Sequence, residues 1–381
     1  MADRTIQIAV PVTGDDEWHA LREPLATGWI TQGPKVTAFE TRFADIHHVD
    51  HALAVTSCTT GLHLILAALG IGPGDEVIVP AFTWVSTANV VLYCGATPVF
   101  VDVEKDTHNI SVAAVKEAVT ERTKAVMAVH LFGLCADIDG LRAVLPPEVK
   151  IIEDAACAAG AHYKGRMAGG LGDAAAFSFH PRKSITTGEG GMVTTRDPAL
   201  ADVLNKMRNH GAEISEEQRH HGPRPYILPD FNLLGFNYRM TDMQAALGRS
   251  QMARLDDFVA RRNALADAYD KAFADSVVST PVQSPDVYSS RHLYVIRVPT
   301  QANCAPHRQV FERLREAGIG VNLHYIPVHT HPYYRRLGFK PGDFPEAERY
   351  YAEAVSLPLF PDLTEAQQAD VVASVHAAIL P

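Results

Sequence analysis

Cysteine is scarce in this chain. The five among its 381 residues (Cys58, Cys94, Cys135, Cys157, Cys304) are odd in number, far apart and without a CxxC pair. That argues against a disulfide framework and a zinc ribbon, and fits a reducing, cytoplasmic setting. Positive charge is not in excess either: 34 Lys and Arg against 44 Asp and Glu leave a net charge of −10, so no basic face is expected for nucleic acid or an anionic membrane. No apolar run has the length of a membrane span, and the short one after Thr5 ends at Thr13-Gly14-Asp15-Asp16, too soon for a signal-peptide core. Neither GxGxxG nor GxxxxGK[ST] occurs, which removes the support for a Rossmann dinucleotide site or a P-loop. His220-His221 and His329-x-His331 lack helical i, i+4 spacing, so they read as loop histidines and no metal is expected.

What the chain has is a globular composition, 47% hydrophobic and 20% charged. Between about residues 50 and 195, short β-rich runs (76–79, 98–103, 125–129, 150–152, 175–179) alternate with helical stretches at 61–69 and 112–120. Runs that are apolar on both faces predict a mostly parallel sheet covered by helices, an α/β domain with ligands at the strands' carboxyl ends. The apolar repeat Met240, Met243, Leu247, Met252, Leu255, Phe258 predicts one long helix continuing through Asn263. A strand at 293–298 and helices near 307–317 and 364–378 predict a smaller α+β domain, and Ser215 to Asp230 reads as a loop. The expected division is a large domain over 1–250, with the N-terminal segment, and a small C-terminal domain over 251–381.

Four segments carry chemistry. Lys183 follows a buried strand in a loop rich in Ser, Thr and Gly, where desolvation makes an amine a usable nucleophile and base. Asp154 ends the apolar strand Lys150-Ile151-Ile152-Glu153-Asp154, and alternation puts Glu153 on the opposite face. Ser57-Cys58-Thr59-Thr60 leads into an apolar helix, whose free amides and dipole favour an anion. Trp84 follows a strand and offers a flat face for stacking. Taken singly, each has a bland reading: a surface lysine, a helix cap, a Ser/Thr cap, a core tryptophan. Jointly they describe an amine for an aldehyde, a carboxylate for a ring nitrogen, a phosphate cradle and a stacking plate, which is what pyridoxal 5′-phosphate requires.

The sequence resembles the DegT/StrS sugar aminotransferases, fold-type I pyridoxal-phosphate enzymes that act on nucleotide-linked keto sugars. The resemblance runs from Gly28-Trp29-Ile30-Thr31-Gln32-Gly33-Pro34 through Ser57-Cys58-Thr59-Thr60, Trp84, Gly95 to Asp102, Glu153-Asp154-Ala155-Ala156 and Phe179-His180-Pro181-Arg182-Lys183. It continues in Asn237-Tyr238-Arg239-Met240-Thr241-Asp242 and His324-Tyr325-Ile326-Pro327-Val328-His329. It implies that Lys183 is the catalytic lysine bound to the cofactor, with pyridoxamine phosphate as its intermediate form. Asp154 is implied as partner of the ring nitrogen, Trp84 as stacking residue, and Thr59, Thr60 and Ser178 as phosphate contacts. Asn237 is implied to reach the phosphate of a neighbouring subunit, hence a homodimer with shared sites. Cys157 stands where the family carries Gln or His against the cofactor's 3′ oxygen. Thr31, His180, His324, Tyr325 and His329, with Arg208 and His331, are candidates for the sugar or its diphosphate. The implied reaction transfers an amino group from an amino acid, L-glutamate in the family, to a nucleotide-linked keto-6-deoxy sugar. The run Ile185 to Gly191 favours the C4 ketone. Two alternatives stand beside it: a pyridoxamine-phosphate-dependent sugar dehydratase, whose relatives carry His in place of the lysine, and a catalytically silent cofactor-binding regulator.

Overall fold

The computed structural model describes residues 5–214, 226, 228–282, 284–299 and 304–381. The expected loop Ser215 to Asp230 therefore lies largely outside the described residues. The strands are β1 (His51–Val55), β2 (Glu76–Pro80), β3 (Thr97–Val101), β4 (Thr123–Val129), β5 (Lys150–Asp154), β6 (His162–Tyr163), β7 (Arg166–Met167), β8 (Ala174–Ser178), β9 (Gly191–Thr195), β10 (Val287–Tyr288), β11 (Tyr294–Arg297) and β12 (Ala354–Leu357).

Seven of them form one sheet in the order β1-β9-β8-β5-β4-β2-β3. The pairs β2–β3, β2–β4, β4–β5 and β5–β8 are parallel, and β9 runs antiparallel to both its neighbours, β8 and β1. Alternation sorts the side chains to two faces. Val77, Val79, Met127, Ile152 and Ala176 join one buried cluster, while Ile78, Val126, Ile151, Ala175 and Phe177 join another. Each face is covered by helix. Leu62 and Ile65 of the helix Cys58–Ala68 cover the first, and Val36, Phe39 and Phe43 of the helix Pro34–His47 cover the second. Every such side chain taken fully out of water contributes about 1.5–3 kcal/mol, which is why the pattern of apolar runs decides the architecture. The α/β, mostly parallel, helix-covered sheet is the fold expected from the sequence.

A third cluster, with Tyr269, Tyr294, Ile296, Val310, Val355 and Val371, packs the pair β11–β12 against the helices His307–Glu316 and Glu365–Ala378. β6, β7 and β10 form a small separate sheet. The long helix expected from Met240 onward is two helices, Asp242–Met252 and Leu255–Ala272. The break falls at Arg254, whose φ/ψ of −111°/5° leaves the helical region while its guanidinium donates to Glu17 (2.6 Å) and to the Val12 carbonyl (3.2 Å). Tertiary hydrogen bonds to the N-terminal segment here override an apolar repeat that would run straight through.

Candidate active site

The carboxyl ends of β4, β5 and β8 open into one cavity of about 480 Å³. Its walls bring together Thr59, Trp84, Asp154, Cys157, Ser178, His180, Lys183, His324 and Tyr325 from the expected residues.

Asp154 and Glu153, adjacent at the end of β5, do separate to opposite faces. Glu153 is fully buried. Its carboxylate accepts from His130 Nε2 (2.8 Å) and from the amides of Gly169 (2.7 Å), Leu171 (2.8 Å) and Gly172 (2.7 Å). Burial alone would push its pKa up, but the His130 contact and the backbone amides outweigh it and hold the carboxyl below its ordinary range. Glu153 thus fixes the strand end, which leaves Asp154 for the cavity. There Asp154 Oδ2 accepts from Thr87 Oγ1 (2.7 Å), itself 2.9 Å from Thr83 Oγ1, and Oδ1 accepts from the Ala156 amide (3.2 Å).

Lys183 is held by a turn in which its amide donates to the His180 carbonyl (2.8 Å). Its Nζ lies 3.1 Å from Cys157 Sγ. Burial pushes the Cys157 thiol up in pKa, against the pull of the neighbouring Lys183 charge, so the residue offers Lys183 a weak, neutral contact in place of a carboxamide.

The helix Cys58–Ala68 starts at the cavity. Ser57 caps it, its Oγ accepting from the Thr60 amide (3.1 Å), while Thr60 Oγ1 accepts from the Ser57 amide (3.0 Å). Thr60 is consumed in this capping box and does not line the cavity; Cys58 and Thr59, the first two residues of the helix, do. Their amides belong to the turn that has no partner within a helix. Close behind lies β9. A Cβ at Gly191 would stand 2.5 Å from the Ser57 carbonyl carbon and 2.7 Å from both the Cys58 nitrogen and the Phe177 oxygen, so glycine is required where sheet and helix start meet.

Trp84 is exposed at the mouth (58%), its ring centroid 5.5 Å from that of Tyr325. His324 Nδ1 meets Ser356 Oγ at 2.7 Å and Nε2 meets Asn322 Nδ2 at 3.2 Å. The Asn322 amide donates, so Nε2 accepts and Nδ1 carries the proton. Burial, with the positive charges of Arg182 and Lys183, pushes His324 down to about 4; burial also lowers His180 and His292, and raises the Tyr325 hydroxyl. Three neutral imidazoles therefore face the cavity at neutral pH.

Other candidates stand elsewhere. His329 is buried with Nε2 2.9 Å from Glu348 Oε1, and His331 precedes the helix Pro332–Arg336; neither lines the cavity. Thr31 lends its carbonyl to the Asp242 amide (2.9 Å). Arg208 is buried in bonds to Glu40, Asn205 and the Ala54 carbonyl (2.8 Å). Asn237 is exposed, outside the cavity, in a bridge to Asn209. Conversely, the sequence reading did not single out Thr87, His130, Phe132, His292 or Asn322, which line the cavity or hold Asp154. Thr87 had a usable signal: a hydroxyl one helical turn beyond Thr83 in the segment already marked by Trp84.

The residues fit pyridoxal phosphate. Helix-start amides without a partner among the described residues suit its phosphate, the Asp154 carboxylate suits a protonated ring nitrogen, and the Lys183 amine, met among the described residues by a thiol, suits an aldehyde.

Comparison with known proteins agrees. The family model described as DegT/DnrJ/EryC1/StrS aminotransferase matches residues 11–376. The spore coat polysaccharide biosynthesis protein SpsC of Bacillus subtilis is 42% identical over 372 residues, 97% of this chain and 95% of that one. Spr1654 of Streptococcus pneumoniae, solved in a PMP form and a PLP form, superposes with TM-scores of 0.92 and 0.91 at 30% identity over 98% of each chain. Helicobacter pylori PseC, an aminotransferase involved in pseudoaminic acid biosynthesis, superposes with a TM-score of 0.90 at 27% identity, over 98% of this chain and 99% of that one.

Proposed function

Since the chain belongs to the DegT/DnrJ/EryC1/StrS aminotransferases, pyridoxal-phosphate enzymes of fold type I, we propose that it aminates a nucleotide-linked keto-6-deoxy sugar, at C4, with L-glutamate as donor. The observation that carries this reading is the convergence of Lys183, Asp154 and the start of the helix Cys58–Ala68 on one cavity. Pyridoxal phosphate supplies an electron sink for carbanionic charge and a carrier for the amino group. The protein's own part is binding and proton transfer. Asp154, oriented by Thr87, keeps the ring nitrogen protonated; Thr59 and Ser178 hold the phosphate; Trp84 covers the ring face. Cys157 stands beside Lys183, and Lys183 Nζ, within the same walls as the donor, takes the proton from its α-carbon and returns it on the other side of the transfer. His180 and Tyr325 supply uncharged donors and acceptors for sugar hydroxyls, and His324, both of whose nitrogens are taken by Ser356 and Asn322, shapes the wall beside them.

A second copy of the chain completes the site in this reading. Asn237 is exposed, as are Phe231 (62%) and Leu234 (90%) a few residues before it, apolar side chains that a homodimer would cover. The division at residue 250 belongs to the same reading, with Asp154 and Lys183 on the large domain and His324 and Tyr325 on the small one. A cytoplasmic location suits a nucleotide-sugar substrate. Among the described residues no helix is long and apolar enough to cross a membrane.

The test is a Lys183→Ala variant. It is expected to lose the visible absorbance of the bound cofactor, the bleaching on addition of L-glutamate, and turnover on a panel of nucleotide 4-keto-6-deoxy sugars followed by 2-oxoglutarate release. Retention of absorbance and turnover in that variant refutes the assignment, and activity confined to 3-keto sugars overturns the position of amination.

A further inference from the structure

The cavity's charge inventory is short. Its lining carries two cations, Arg182 and Lys183, two carboxylates, Asp154 and Glu189, the three imidazoles of His180, His292 and His324, which are neutral at pH 7, and His130, whose ring is bonded to Glu153 (2.8 Å). Two of these are already committed: Lys183 to the cofactor aldehyde and Asp154 to its ring nitrogen. The cofactor then adds a phosphate of about −1.5 to −2, so the filled cavity is strongly negative. Yet both partners of the proposed reaction are anions at the end remote from the reacting carbon. The donor has a second carboxylate and the acceptor has a diphosphate.

Arg182 is what this chain offers against that. It lies inside the turn that holds Lys183, its amide donating to His180 Nδ1 (3.3 Å), and its side chain is exposed. Its guanidinium takes no hydrogen bond or ion pair with another described residue. The charge nonetheless reaches the binding groups, depressing His324 and pulling against the burial that raises Tyr325. A long side chain ending in a planar five-donor fork, unspent at the mouth of a cavity whose floor is a nucleophilic lysine, has the geometry to close bidentately on a carboxylate or a diphosphate. Glu189, also in the lining, has the opposite sign and works against any anion that enters.

We infer that Arg182 is a specificity-determining residue that binds the remote oxyanion of a substrate, the distal carboxylate of the donor, the diphosphate of the acceptor, or each in its own half of the reaction. This rests on the aminotransferase reading and deepens it.

The experiment compares wild type with Arg182→Met, which keeps the stem and removes the charge, Arg182→Lys, which keeps the charge and removes the fork, and Glu189→Gln. All are taken as cofactor-loaded protein. Inorganic pyrophosphate and glutarate are titrated in separately by calorimetry, and the rate of bleaching by L-glutamate is measured against its concentration. Arg182→Met is expected to keep the visible absorbance but to lose roughly ten- to a hundred-fold in affinity for at least one probe, the loss of one charge-assisted contact. The half-saturating L-glutamate concentration rises by a similar factor when the carboxylate arm responds. Arg182→Lys should fall between the two, and Glu189→Gln should tighten the same probe. A loss in the pyrophosphate arm alone assigns the residue to the acceptor, and in the glutarate arm alone to the donor; either supports the inference. Unchanged affinity for both probes in Arg182→Met, or no binding of either to wild type, overturns it. A wild-type protein that takes up no cofactor overturns instead the reading on which it rests, and the two failures are told apart by the absorbance.

Discussion

Glu153 and its four donors permit a stability prediction worked out atom by atom. Oε1 accepts from Leu171 and Gly172, and Oε2 from Gly169 and His130. His130 Nδ1 accepts from the Ala136 amide (3.1 Å), so its Nε2 carries the proton and can only donate. In Glu153→Gln one oxygen keeps two of these contacts, while the new NH2 faces two N–H groups that have no other acceptor. Each buried donor left unpaired costs about 1–3 kcal/mol, so the variant should lose about 2–6 kcal/mol although it differs by one atom. In guanidinium this moves the unfolding midpoint down by roughly 0.5 M or more with the slope unchanged. Acid supplies a second check. A carboxyl whose folded pKa is depressed stabilises fully above its unfolded value and loses that contribution as pH falls through the folded one. Glutamine has no proton to gain there, so the gap between wild type and variant should narrow on acidification. A midpoint within error of wild type at pH 7, or a gap that widens in acid, refutes the argument.

Two further outcomes follow from close packing elsewhere in the large sheet and its covering helices. Gly191→Ala puts a methyl inside contact distance of the Ser57 carbon, the Cys58 nitrogen and the Phe177 oxygen, so it should weaken cofactor affinity, read by absorbance titration, as well as lower the melting temperature. His47 is fully buried, its ring stacked on Phe43 at 4.2 Å, and burial pushes it down to about 4 against the pull of the Ala168 carbonyl and Glu153. Between pH 6.5 and about 4 the unfolded chain binds a proton that the folded one declines, so stability falls in that window by up to about 3 kcal/mol. Melting temperatures followed across that range should show a limb that His47→Phe flattens.

The parallel strands were legible because each is a run apolar on both faces, and Glu76 to Pro80 is buried throughout. β9 was not: Gly191-Met192-Val193-Thr194-Thr195 opens on glycine and ends in threonines, and only its place between β1 and β8 makes it a strand. Lys183 and Asp154 could be found from a strand followed by a polar residue of the right chemistry. His292, Phe132 and Asn322 could not, since the part each plays depends on segments more than a hundred residues apart meeting at the strand ends. Thr60 misled for a local reason. Its hydroxyl is as apt for a phosphate as that of Thr59, but a capping box claims it first.

The reversed direction of β9 has a bearing on how the amine is held. Ser178 pairs with Gly191, the Phe179 amide donates to the Gly190 carbonyl (2.9 Å), and the Thr187 amide donates to the Phe179 carbonyl (3.0 Å), so the segment bearing Lys183 is clasped at its neck. β9 in turn is zipped to β1, some 140 residues earlier in the chain. The amine's address is thus set by a local clasp, which the pairing with β1 then fastens to a distant part of the chain. The polar turn that bears the amine therefore hangs from the sheet at both of its ends.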